Sequence, residues 1–432
     1  MLRWLLDQLR FAPSPGEKTG LSAKSTDFAT VSQIPEGGLL RRRAIYNRHW
    51  GIEAYSLTLR ELNHQPHQNI HSYDQVLLCE IERLLNSSDL KTQIWLELSW
   101  HNLPLLLAHQ FTFKFTVIAH GEVPFSDAEL SQLLTQLRIH FHIGATAKRW
   151  HLSNPWLGQQ LQAIVLNIQS PDFAVLSQQI NTCRQIAPNA QLWVNEVDSR
   201  EAAEACFQLG ADFVSGHIFT WAEAQQLSFP DSFLHLNQVL QLTRQNADAK
   251  QIAGQLKTDP ALSARLLRYV NSAAMALPHP MSNLEQAITV IGNQRLYRWL
   301  SLLLFSCKGH ETLDQTLLET ALTRARLMET AAAPHFSPAD CELLFLTGLF
   351  SLLDYLLRVP RSVLLKELNP PRLVIDTLCG QTTAFSPYLQ LAEHSELYWP
   401  EARLLESCQL STAEFNRLQI AATLWALSTL AS

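Results

Sequence analysis

From about Leu40 to Ala222, short apolar runs of strand length alternate with stretches of helical periodicity. The strand-like runs are 41–47, 52–60, 92–99, 113–120, 138–145, 162–168, 191–197 and 212–216, about seven of them clear. Between them, Tyr73 to Leu85 places Val76, Leu77, Ile81, Leu84 and Leu85 on one helical face. Ser126 with Glu129 spells a capping box, where a hydroxyl and a carboxylate each satisfy an orphan backbone N–H, and opens a helix to Leu137. Asp198 with Glu201 opens another in the same way, with Gly210 just past its end. Such alternation over roughly 180 residues predicts a parallel sheet, most simply a closed (β/α) TIM-like barrel.

From Pro230 onward the strand pattern stops and helix starts become explicit. Asp259-Pro260 pairs an N-cap with proline at the first helical position. Ser282 with Glu285, Thr312 with Gln315 and Ser411 with Glu414 read as capping boxes, and Ser337-Pro338-Ala339-Asp340 joins a cap, a proline and an early acid. Apolar residues recur at helical spacing between them, as at Leu349, Leu352, Leu353 and Leu356. This half predicts an all-α bundle. The domain plan is therefore 1–39 as a short helix (1–11) and a flexible linker, 40–222 as the α/β barrel, and 230–432 as the helical domain.

Composition changes this picture little. At 47% hydrophobic and 17% charged residues, both halves have the material for a core. A net charge of −6 gives no basic footprint for nucleic acid. The seven cysteines are odd in number and form no C-x-x-C pair, the usage of reduced core residues in the cytoplasm. No run approaches the ~18–20 apolar residues of a membrane span, and Asp7 and Arg10 interrupt any secretory signal pattern near Met1.

Several residues invite a chemical reading, each with a plainer one beside it. His64, His67 and His71 fall in a polar stretch that reads as a solvated loop rather than a metal site. His140 and His142 alternate on a strand and share a face; packing or partial exposure is the plainer role. The triplet Arg41-Arg42-Arg43 beside a strand start reads as a solvated edge rather than a phosphate clamp, and Arg295 and Arg298 read as surface residues. Trp95, Trp100, Trp150, Trp156 and Trp193 read as buried packing rather than a platform for a guanine base.

The stretch Gln251 to Ala273, with Asp259-Pro260-x-Leu262, Leu266-Leu267 and Asn271-Ser272, resembles the HDOD signature, and Ser282 to Gly292 resembles the next helix of that family. Asp259 reads as a cap and Asn271 as a helix end tolerant of left-handed backbone, neither as catalytic. Phe345 to Asp354 is similar to the segment in HDOD domains fused behind EAL-like domains. Hydrolase relatives carry a metal-binding His-Asp pair there; this chain has Phe350-Ser351 and Leu352-Leu353, and no His-Asp dipeptide occurs anywhere. The barrel half resembles an EAL domain through Ala54-Tyr55-Ser56-Leu57, Leu192 to Ser199 and Leu209 to Phe219.

EAL phosphodiesterases cut cyclic di-GMP with metal ions held by carboxylates at barrel strand ends, so the resemblance assigns a ligand to each strand. Carried over, the name-giving glutamate is Ser56, the asparagine of the next strand Glu97, the third strand's glutamate near His120 or Glu122, the aspartate pair Gly144-Ala145-Thr146, the lysine Val165, and the sixth strand's glutamate Asn195. Glu97, Glu122 and Asp198 remain, too few for a two-metal site. The resemblance thus implies a degenerate EAL-type barrel and an HDOD bundle in a catalytically inactive signalling scaffold. It implies no cofactor or metal, protein partners through the HDOD domain, and a cytoplasmic location. The alternatives are an effector that binds cyclic di-GMP without cutting it, with Arg60 and Asn195 as donors, and an active phosphodiesterase using acids such as Glu122 and Asp127.

Overall fold

The computed structural model describes residues 38–61, 70–86, 93–109, 111, 114–146, 155–168, 173–216, 218, 229–272, 275, 279–306, 312–397 and 401–431. The expected N-terminal helix and linker, His64, His67 and Trp150 lie outside the described residues, as does the side chain of His71.

Eight strands close a barrel in sequence order: β1 (Gly38–Asn47), β2 (Ile52–Glu61), β3 (Gln93–Ser99), β4 (Thr116–His120), β5 (His142–Thr146), β6 (Ala163–Asn167), β7 (Gln191–Val197) and β8 (Phe213–Gly216). Between them run α1 (Ile70–Asn86), a 3-10 helix (Trp100–Ala108), α2 (Asp127–Leu137), α3 (Pro155–Gln160), α4 (Phe173–Ile186) and α5 (Arg200–Gln208). The sheet is parallel from β2 to β8, but β1 runs antiparallel to both its neighbours. The cause is local: the β1–β2 link is too short for the crossover a parallel pair needs. Asn47 folds it into a turn, its side-chain oxygen accepting from the backbone N–H groups of His49 (3.0 Å) and Gly51 (3.1 Å). β1 therefore brings its N-terminal half to the end where the other strands finish.

Period-two alternation decides what fills the barrel. Ile45, Ala54, Trp95, Ile118, Ala163, Val165, Trp193 and Phe213 pack together inside it. Trp95 meets Trp193 and Phe213 edge-on, each with ring centroids 5.6 Å apart. These indoles, with Trp100, are buried packing as expected. β5 begins at His142 rather than near 138, because α2 runs to Leu137 and a turn carries the chain through His140. His140 and His142 thus do not share a strand face, and both are exposed.

The second region is all helical: α6 (Asp231–Arg244), α7 (Ala249–Leu256), α8 (Pro260–Val270), α9 (Leu284–Ile291), α10 (Asn293–Leu303), α11 (Thr312–Ala332), α12 (Pro338–Phe350), α13 (Leu353–Leu357), α14 (Arg361–Leu368), α15 (Arg372–Leu378), α16 (Ser386–Leu397), α17 (Ala402–Ser407) and α18 (Thr412–Ala431). By contacts the described residues form two compact units, and Gln390–Leu418 groups with the barrel, where the sequence plan ran one helical domain unbroken over 230–432. Asn416 shows why: its buried amide accepts from Leu40 N–H and donates to Gly38 C=O, both at 2.8 Å, in place of a neighbouring strand.

Caps follow the sequence at Ser126, Asp259, Ser337 and Ser411. Elsewhere a neighbour takes the role. Ser199 rather than Asp198 caps α5, Asn283 rather than Ser282 caps α9, and Thr312 lies inside α11. Asn271 is not left-handed (φ −86°); its amide instead clamps Met281, donating to the C=O (2.7 Å) and accepting from the N–H (2.6 Å). Arg298 is buried rather than on the surface, while Arg295 is exposed. Among the described cysteines, Cys79 and Cys379 are exposed rather than core residues. Burial pushes the thiols of Cys183 and Cys206 up to about 11 and that of Cys408 to about 12, so these three stay protonated and inert. Among the described residues no single helix is long and apolar enough to cross a membrane.

Gly348 lets α12 pack directly on the backbone of α11. A Cβ at Gly348 would lie 2.6 Å from Ala325 Cα and 2.7 Å from its nitrogen, both backbone atoms that cannot step aside. Gly348→Ala is expected to destabilise the protein by about 1–3 kcal/mol in urea unfolding. Gly254→Ala in α7, where no atom lies within 4 Å, should be neutral or stabilising by up to about 1 kcal/mol. Equal effects at the two sites would refute this packing.

Candidate functional site at the barrel mouth

Above the apolar filling, the next inward positions are polar. Strand pairing places Arg43 opposite Ser56 and Arg41 opposite Thr58, with Glu97 on the neighbouring β3. Ser56 donates to Glu97, and Arg43 donates to the side-chain oxygen of Asn195. That same oxygen accepts from Ser215 (2.8 Å) and from the backbone N–H of Glu196 (2.9 Å), while the Asn195 NH2 donates to Asn167 (2.9 Å). Ser215 in turn accepts from the Trp193 indole at 2.8 Å. The chain of bonds thus runs from the packed interior to the rim. Glu196 takes φ +64° where β7 bulges against β8, and the Asn195 side chain holds that bend.

The arginine triplet is not a solvated edge. Arg42 and Arg43 are 6% and 4% exposed, and Arg41 is half-buried. Barrel closure gives β1 two covered faces: Arg43 points inward, while Arg42 lies outside against the Tyr55 ring, 4.7 Å from its centroid. Burial, then the Arg43 charge, lowers Arg41 to about 10, against the pull of Glu97 and Glu196. For Glu97, burial alone would raise the carboxyl. Arg43, the Ser56 hydroxyl, Arg41 and His120 together outweigh it and hold the group below the usual glutamate range.

Arg60 is committed elsewhere. It donates to Asp74 (3.3 Å) and contacts His120 and the Leu59 carbonyl. Asp74 is fully buried on α1 and also accepts from Ser99 N–H (2.8 Å) and Asn102 (2.7 Å). Desolvation still leaves its carboxyl above the usual range despite Arg60 and these donors.

The remaining expected positions are equally closed. A Cβ at Gly144 would stand 2.7 Å from the Ala163 carbonyl oxygen and 2.7 Å from Ile118 Cδ1, so no aspartate fits that backbone. Ala145 and Val165 are buried, Val165 within the barrel packing. Glu122, Asp127 and Asp198 are exposed rather than gathered around Glu97. Among the described residues no group of three or more His, Cys, Asp or Glu is placed to hold a metal ion. The sequence did not single out Ser215, Asn167 or Asp74; a small polar residue inside a strand run carries no signal until its face is known.

In the helical region, the segment where hydrolase relatives carry a His-Asp pair is tied by arginines. Arg324 donates to the Ser351 hydroxyl (2.8 Å), which donates on to Gly348 C=O (2.6 Å). Arg361 donates to the buried Asp354 (2.7 Å) and to Ser351 C=O (3.2 Å).

These two sites belong to a protein that joins an eight-stranded barrel, with EAL domains as its structural neighbours, to a helical region. Residues 227–357 match the model of the HDOD domain, so the helical region carries an HDOD domain. The chain is 26% identical over 205 residues to the Bacillus subtilis (strain 168) uncharacterized protein YuxH, covering 46% of this chain and 49% of that protein. It is 25% identical over 174 residues to the cyclic di-GMP phosphodiesterase CdgJ of Vibrio cholerae, 40% of each. The chain thus spans half or less of the length of these curated relatives. It is also similar in structure to the Bacillus subtilis YkuI protein, which has an EAL domain and was solved with its substrate c-di-GMP and calcium. That match has 14% identity and a TM-score of 0.33 over 54% of this chain and 73% of that one.

Arg43→Leu leaves Glu97 partly desolvated without its main counter-charge. The expected loss is roughly 1–3 kcal/mol, below the ~3–5 of a fully buried pair because Glu97 keeps some contact with water. The sign of the pH effect follows from Glu97 lying below its unfolded value: its stabilisation is present above that value and lost as pH falls through the folded one. In Arg43→Leu the acid loss should begin at higher pH, and adding Glu97→Leu should recover part of the stability. Denaturation of the three proteins across pH checks this; additive single effects would remove the coupling.

Proposed function

We propose that this chain is a catalytically inactive signal-transduction protein that acts through protein partners of its HDOD domain, in the setting of cyclic di-GMP signalling. The observation that carries the reading is the state of the barrel mouth. Ser56 donates to Glu97, Arg43 donates to Asn195, and Gly144 has no room for a side chain. Two-metal phosphate chemistry needs several carboxylates converging on one point; here a guanidinium reaches into that space. The link to cyclic di-GMP comes from the similarity to the Vibrio cholerae phosphodiesterase. A cytoplasmic location suits the exposed free thiol of Cys379.

A second reading, binding without hydrolysis, is favoured by the positive charge of Arg41 and Arg43 at the mouth, since guanidinium groups recognise phosphates directly. Labelled cyclic di-GMP incubated with the purified chain and magnesium or manganese separates the readings. No turnover and no saturable binding is the expected result. Saturable binding weakened by Arg41→Ala, without product, would replace the scaffold by an effector. Metal-dependent product formation would overturn the proposal.

A further inference from the structure

β1 has a full strand partner on one side only. β2 pairs with it over residues 38–46, whereas β8 meets it only at Tyr46 and Asn47. Among the described residues no strand lies along the second side of residues 38–45. A strand edge inside a protein carries backbone N–H and C=O groups that need partners. At Gly38 and Leu40 the partner is a side chain from far along the chain. Asn416 of α18 is fully buried; its Nδ2 donates to Gly38 C=O and its Oδ1 accepts from Leu40 N–H, both at 2.8 Å. Donating to one residue and accepting from the next but one is what a residue of a parallel neighbouring strand does. The carboxamide reproduces those two bonds with one side chain.

Asn416 is also held from its own side. The capping box of Ser411 and Glu414 closes the first turn of α18, with Ser411 N–H donating to Glu414 (3.0 Å) and Glu414 N–H to Ser411 (3.3 Å). Phe415, beside Asn416, is fully buried. Gln390–Leu418 groups with the barrel, so cap, asparagine and strand start belong to one unit. What they hold is the lead-in to the mouth. Leu40 is followed by Arg41 and, on the same inward face, by Arg43. Arg43 donates to the oxygen of Asn195 that also accepts from Glu196 N–H (2.9 Å). Both arginines, with Ser56 and His120, hold Glu97 below the usual glutamate range against its burial. Inward side chains stand where their strand stands, and on its open side the start of β1 is fixed by this amide.

The geometry points to Asn416 as a positioning residue for the barrel mouth: by standing in for a strand at the open edge of β1, it fixes where Arg41 and Arg43 meet Glu97 and Asn195. The barrel is then a discontinuous domain, with Gln390–Leu418 as its closing element. Each contact in this argument lies inside the barrel unit. The role holds whether or not the mouth binds a nucleotide, so its failure leaves the proposed function standing.

Two buried asparagines in the full chain test the role. Asn237 of α6 also donates to a backbone carbonyl, that of Glu367 at 2.9 Å, but it lies in the helical unit. Asn237→Ala therefore removes similar chemistry away from β1. In Asn416→Ala the Leu40 amide is expected to exchange with solvent about tenfold faster. The Glu97 carboxyl, followed by its carbon resonance, should titrate higher than in wild type, because less positive charge stands beside it. Asn237→Ala should move neither. An unchanged Leu40, a faster Leu40 with Glu97 unmoved, or an equal rise of Glu97 in Asn237→Ala would overturn the positioning role. Wild type alone supplies a second test, should Asn416→Ala not fold. An opening that frees Leu40 must also release Arg43 from Asn195, whose oxygen holds Glu196 N–H. Glu196 N–H is therefore expected to be no better protected from exchange than Leu40 N–H, and stronger protection at Glu196 refutes the role.

Discussion

A carboxylate drawn out of water must keep a counter-charge or give up its own, and in this barrel Arg43 meets that demand for Glu97. Much of the mouth depends on where Arg43 stands. Its reach to Asn195 fixes the amide that holds the bulged backbone of Glu196 and accepts from Ser215. Ser215 accepts from the Trp193 indole, which packs against Trp95. Polar rim and apolar filling are therefore one construction. A ligand entering this space would have to compete with bonds the protein already makes to itself.

Arg43 can occupy that place only because β1 runs backwards. A parallel first strand would send the inward side chains before Ile45 toward the opposite end of the barrel. The short turn at Asn47 reverses the strand and so delivers two arginines to the end where the parallel strands finish. Nothing in the hydrophobic pattern announces this, since alternation specifies faces but not direction. The sequence shows the strands, their order and the barrel class; the burial of the arginine triplet was not legible, because a strand beside a linker looks like an edge until the barrel closes on it.

The same distinction runs through the rest of the chain. Features set by neighbours in sequence were readable: the caps at Ser126, Asp259, Ser337 and Ser411. Features set by distant contacts were not. Arg298 looks like a surface residue because its acidic partners lie 31 and 44 positions downstream on two other helices. Asn416 looks like one polar residue of an amphipathic helix, yet it stands in for a strand against Gly38 and Leu40. The residue at each of positions 56, 97, 144, 165 and 195 is plain in the sequence; what each one touches required the fold.

Both regions set arginines against buried polar and acidic side chains, yet the consequences differ with geometry. At the mouth, Arg43 and Arg41 face one half-buried carboxylate, which stays ionised, and the arrangement is static. Ser351 and Asp354 are likewise each fastened by a guanidinium, fixing α13 beside α12. Around Arg298 two carboxylates accept from one guanidinium, and Glu329, which also accepts from Arg326, is held ionised. Burial dominates at Glu342, which has Arg298 as its hydrogen-bond donor, and pushes that carboxyl up.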